Sequence, residues 1–126
     1  MNNKHLEWLK QADYDIDTAE FMHNGSRCFY SVFMCHLAIE KALKGLYQFK
    51  LEEVPPKTHN LVYLLNKIDI KPDEKIGKFI IKLNEANIAT RYPDNIAILQ
   101  SNYTKQVTAE ILINAKESLE WIKKQF

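Results

Sequence analysis

Apolar residues return at three- and four-residue steps from the start of the chain. Leu6, Leu9, Ala12, Ile16 and Ala19 form one stripe, and Glu7, Lys10, Asp13 and Asp17 fall mostly beside it. This is the period of a helix with one buried face. Asn24 and Gly25 suit a left-handed helix end and Ser26 can cap a following helix, so the pattern predicts a tight helical hairpin. From Cys28 to Ile39 the only clearly polar side chains are Ser31 and His36, which predicts a second helix lying centrally in the fold. Glu40, Lys41 and Lys44 then wet one edge of it, and the Val54-Pro55-Pro56 stretch stops it near Lys50.

Thr58 is placed to cap a short third helix with apolar positions Leu61, Leu64, Leu65 and Ile68. Pro72, Asp73 and Glu74 read as the first turn of a fourth helix, which carries Ile76, Phe79, Ile80, Leu83 and Ala86. It should end before Pro93, whose ring pushes Tyr92 out of helical geometry. Leu99, Tyr103, Val107, Ile111, Ala115, Leu119 and Ile122 predict one last helix of about six turns. No pair of alternating strand patterns and no internal repeat is visible. The expected fold is all-α, a single-domain, antiparallel up-and-down bundle of four long helices and one short one.

A chain of 126 residues, 46% of them hydrophobic, can bury a core without disulfides or a structural metal. Seventeen basic and sixteen acidic residues leave a formal charge of +1, so no global field draws the chain to nucleic acid or to a membrane. Any anion site must be local, and the only two arginines, Arg27 and Arg91, carry weight for that reason. Cys28 and Cys35 stand seven residues apart on one helix. Their backbones are then roughly 10 Å apart, too far for a disulfide. Reduced thiols, no apolar signal core at the start and no membrane-length apolar run point to a cytoplasmic protein.

Two segments can carry chemistry. Glu40 and Lys44 have the favourable i, i+4 order, and with Lys41 they form either a solvated edge or a place where a lysine holds a phosphate that Glu40 orients. Arg91-Tyr92-Pro93-Asp94 lies at a helix break, where Arg91 either offers its planar fork of donors to an anion or pairs with Glu40 or Asp94 to lock the bundle. His36 reads as a hydrogen-bonded core residue, and His59, at a helix start, can approach the Arg91 break. No histidine pair has metal-site spacing, and no glycine-rich phosphate loop or nucleophile elbow is present. Trp8, Phe29, Phe33, Phe79 and Tyr103 are spaced as packing residues.

Trp8-Leu9, the run from Cys35 through Glu40-Lys41-Ala42-Leu43-Lys44, His59-Asn60-Leu61 and Arg91-Tyr92-Pro93-Asp94 together resemble the HEPN family, over about residues 6 to 123. The resemblance implies a dimerising helical bundle, often paired with a minimal nucleotidyltransferase in two-gene modules, some of them toxin and antitoxin. It also implies nucleotide binding, with Glu40, Lys41, Lys44, Arg91 and Asp94 lining the groove; His59 joins them by position. Many HEPN proteins are metal-independent ribonucleases with an arginine followed by a histidine after four to six residues. Here those positions hold Val32, Phe33 and Met34 after Arg27, and Ile96, Ala97 and Ile98 after Arg91, so the nuclease pair is missing. The expectation is a noncatalytic protein that binds a nucleotide or a nucleotidyltransferase and requires no cofactor. A divergent ribonuclease using His59 with Arg91, and a structural homodimeric module, are the alternatives.

Overall fold

Six helices follow one another in the computed structural model, which describes residues 3–92 and 94–126. They are α1 (Lys4–Asn24), α2 (Cys28–Leu51), α3 (Leu61–Ile68), α4 (Glu74–Arg91), α5 (Ile96–Asn102) and α6 (Lys105–Lys123), with no strand among the described residues. Pro93, expected to stop α4, lies outside the described residues; α4 ends at Arg91 with Tyr92 in a non-helical conformation.

The apolar run in α2 makes it the hub, packed against α1, α3, α4 and α6. Its Val32, Cys35, Ile39, Leu43 and Leu46 join Ala12 and Ala19 of α1, Ile80 of α4 and Leu112 and Ile122 of α6 in one buried cluster. The α1–α2 hairpin is close enough to need a glycine. A Cβ on Gly45 would stand 2.9 Å from the Trp8 Cβ and 3.2 Å from the His5 carbonyl oxygen. Nearby, Trp8 Nε1 donates to Gln48 Oε1 at 2.9 Å, and at the other end Ser31 Oγ donates to the Ala19 carbonyl at 2.7 Å.

The helix ends differ in detail from the sequence reading. Gly25 has φ −87°, Ser26 takes the left-handed conformation, and Arg27 precedes α2 without a side-chain cap. Asn60, and not Thr58, caps α3: its Oδ1 accepts from Tyr63 N at 3.0 Å, while Thr58 Oγ1 accepts from Asn60 N. The expected last helix is two. Thr104 turns extended and its hydroxyl accepts from Val107 N, starting α6 one residue after Tyr103 closes α5. Val107 is therefore left 41% exposed, on one wall of an open groove of about 520 Å³ between α4 and α6.

Candidate functional site

Phe33, His36, Glu40 and Lys44 follow one another at three- and four-residue steps and so share a face of α2. The last three are buried, unusual for charged side chains unless they are paired. Glu40 supplies the pairing. Its Oε2 accepts from Lys44 Nζ at 3.1 Å, and its Oε1 lies 2.8 Å from His59 Nδ1. His59 sits on the loop before α3, which the Asn60 cap stiffens and α4 anchors through Asn84, whose Oδ1 accepts from Leu61 N at 2.8 Å. Donation from Nδ1 to Glu40 fixes the imidazole tautomer and leaves Nε2 as an acceptor on a side chain that is 55% exposed.

His36 lies beneath this pair with its Nδ1 3.9 Å from Glu40 Oε1, and neither ring nitrogen has a side-chain hydrogen-bond partner. The expectation of a hydrogen-bonded core histidine holds only loosely: the ring is fully buried, Glu40 gives its own bonds to His59 and Lys44, and what reaches the imidazole is a weaker contact from the His59 backbone. Burial pushes the His36 pKa down to about 4 against the upward pull of Glu40 and of the His59 backbone, and the charge of Arg91 pushes it further down. The ring is neutral at pH 7.

Arg91, the last residue of α4, completes the wall. Its guanidinium carbon stands 4.9 Å from the centre of the Phe33 ring, and its Nε is buried without a hydrogen-bond partner. Among the described residues it forms no ion pair, so the alternative of a lock onto Glu40 or Asp94 is not realised and the guanidinium lies over the Phe33 ring instead. One turn earlier on α4, Asn87 is buried with its Oδ1 also unpartnered.

Of the residues expected to line a groove, Glu40, Lys44 and His59 are joined directly, and Arg91 is linked to this cluster through its field on His36 while its guanidinium lies over Phe33. Lys41 faces elsewhere: its Nζ pairs with Asp15 Oδ2 of α1 at 2.9 Å. Asp94 is exposed and forms no ion pair among the described residues. Phe33 reads from the sequence as a packing residue, and Asn84 and Asn87 carry no signal there. The step from Phe33 to His36, Glu40 and Lys44 was the signal available for the first. No described group of three or more His, Cys, Asp or Glu side chains is arranged to hold a metal ion. Two fixed cations, one carboxylate and an imidazole with a free acceptor nitrogen make a locally positive, partly desolvated wall, suited to an anion and to proton exchange at His59 Nε2.

A family model described as HEPN domain matches residues 5–125. The chain belongs to the HEPN domain family. Its fold is shared with a crystal structure of ST0689, an archaeal HEPN homologue, at 25% identity, covering 99% of this chain and 98% of that one with a TM-score of 0.77. It is also shared with TT1696 from Thermus thermophilus, at 23% identity, covering 99% and 100% of the two chains with a TM-score of 0.81. No curated protein matches the sequence. The HEPN helical bundle is therefore the frame in which the Glu40, Lys44, His59 and Arg91 wall is built, and no described helix of it is long and apolar enough to cross a membrane.

Proposed function

We propose that this HEPN protein binds the phosphate of a nucleotide against Arg91 and His59, with Lys44 and Glu40 as the charged support beneath, and that it does not transform the nucleotide. The observation that carries this reading is the uncommitted charge of Arg91: a partly buried guanidinium with an unpartnered Nε and no described ion pair. A phosphate oxygen satisfies such a donor far better than continued burial without a partner. The test is calorimetric titration with nucleoside mono- and triphosphates, comparing wild type with Arg91→Ala. Saturable binding that is lost in the variant, with an unchanged helical circular dichroism spectrum, is the expected result; equal affinity in both proteins counts against the site.

A second reading, RNA cleavage without a metal, is favoured by one observation: Glu40 orients His59 so that Nε2 is free to accept a proton. In that reaction His59 takes the proton of a ribose 2′-hydroxyl, the 2′-oxygen attacks the phosphorus as the P–O5′ bond breaks, and the departing 5′-oxygen takes a proton from water, giving a 2′,3′-cyclic phosphate. Cleavage in the presence of EDTA that disappears in both His59→Ala and Arg91→Ala supports it. Intact RNA after incubation with the wild type removes it.

Family membership also supports a protein partner, a second copy or a minimal nucleotidyltransferase in a toxin–antitoxin module. Exposed Ile88, Tyr92, Ile96 and Ile98 around the end of α4 offer it apolar surface. Sedimentation of wild type and Ile88→Asp, alone and with such a transferase, tests that contact.

A further inference from the structure

Arginines that leave water are usually held by carboxylates. Arg91 is not. Glu40 has one oxygen on Lys44 and the other on His59, Asp94 stays outside in solvent, and no described carboxylate pairs with the guanidinium. A phenyl ring takes that place, with the guanidinium carbon 4.9 Å from the Phe33 centroid. The two modes of holding an arginine have opposite consequences. A carboxylate cancels the charge and occupies the in-plane N–H donors, whereas a ring attracts the cation through its π-face and occupies none of them.

We infer that Phe33 is the positioning residue of the anion site, its ring steadying the Arg91 guanidinium against α2 while leaving the N–H edge and the full positive charge for a phosphate. This rests on the phosphate-binding reading above and adds to it the residue that makes Arg91 competent. Phe33 is well placed for the task. It is only half-buried, it lies one turn before His36 on the most heavily packed helix, and its backbone is fixed by that packing. The in-plane edge of a guanidinium presents parallel donors that match two oxygens of one tetrahedral phosphate. The ligand class is a phosphomonoester or free phosphate, and a nucleoside monophosphate is the probe that separates recognition of phosphate from recognition of the rest.

The experiment measures binding of AMP and of inorganic phosphate to wild type, Phe33→Tyr, Phe33→Leu and Phe33→Met. It adds the ¹⁵N-resolved Nε–H spectrum, which holds only two arginine signals because the chain has only Arg27 and Arg91. In wild type and Phe33→Tyr the Arg91 signal, identified by its absence in Arg91→Lys, is displaced by the ring current and both ligands bind within twofold of each other's affinity across the two proteins. In the leucine and methionine variants the displacement vanishes and both ligands bind about tenfold more weakly. Methionine keeps most of the side-chain volume, so it carries the comparison should the leucine variant unfold. Affinities in the aliphatic variants within twofold of wild type overturn the role of Phe33 while leaving the phosphate site standing. A wild type that takes up neither AMP nor phosphate, or binds them equally well as Arg91→Ala, overturns the site and this role together.

Discussion

Glu40 and His59, nineteen residues apart in sequence, are joined by a 2.8 Å contact between Oε1 and Nδ1, and the same carboxylate holds Lys44 through its other oxygen. Almost the whole carboxylate is out of water, with Glu40 at 4% and Lys44 at 8% exposure. Removing one member leaves the other as a buried charge without compensation. Glu40→Gln and Lys44→Met should each lower stability to urea by about 3 kcal/mol, and the double variant Glu40→Gln/Lys44→Met should recover a large part of that loss. Equal losses that simply add in the double variant would show that the two charges are not coupled.

Acid should destabilise the fold through His36. Its pKa is lowered from 6.5 to about 4 in the folded chain, chiefly by burial, so between those values the unfolded chain binds a proton that the folded one refuses. Stability from this group is present above pH 6.5 and falls as the pH drops toward 4, by on the order of 3 kcal/mol in full. Urea titrations of wild type and His36→Leu from pH 7 to 4 should show the variant losing less. Parallel pH profiles would refute the assignment.

The two thiols should differ in reactivity. Cys35 is fully buried and burial pushes its pKa up to about 12, while Cys28 is half-exposed at the start of α2. A thiol reagent should label one cysteine quickly in the native protein and the second only on unfolding, and mass mapping should place the first label on Cys28.

Gly45→Ala should cost about 1 to 3 kcal/mol, because the added methyl meets the Trp8 Cβ at 2.9 Å and the His5 carbonyl, neither of them the end of a flexible side chain. A combined Trp8→Ala change removes neither contact, since alanine keeps the Cβ and the His5 carbonyl is backbone, so the melting temperature of the double variant should stay below that of Trp8→Ala alone.

The bundle was legible in the sequence because helical periodicity is local: the stripes of α1, α3 and α4 lie within a few turns of chain and name most of their own buried faces, Leu6 at the exposed start of α1 being the exception. The ion pair between Glu40 and Lys44 was legible for the same reason, since four residues bring two side chains together on any helix. The direction of Lys41 was not. One residue rotates a side chain by about 100° around the axis, and only the position of α1, with Asp15 waiting, shows that Lys41 points away from Glu40. Arg91 on Phe33 and His59 on Glu40 depend on how α4 and the loop before α3 approach α2, which no local pattern encodes. The split between α5 and α6 did leave a trace. Ser101, Asn102 and Thr104 gather the side chains that compete for backbone hydrogen bonds, and they outweigh an apolar stripe that runs unbroken across them.

The Lys41–Asp15 bridge has a consequence for how the hairpin assembles. Lys41 is 21% and Asp15 8% exposed, and the two side chains come from the two most closely packed helices. Sliding α1 along α2 by one turn, about 5.4 Å, would still bury apolar side chains against apolar side chains. It would also strand both charges in a poorly hydrated seam, at a cost of several kcal/mol. The pair thus adds little to the correct register and opposes each neighbouring one, which favours the alignment that sets the polar face of α2 opposite the loop that carries His59.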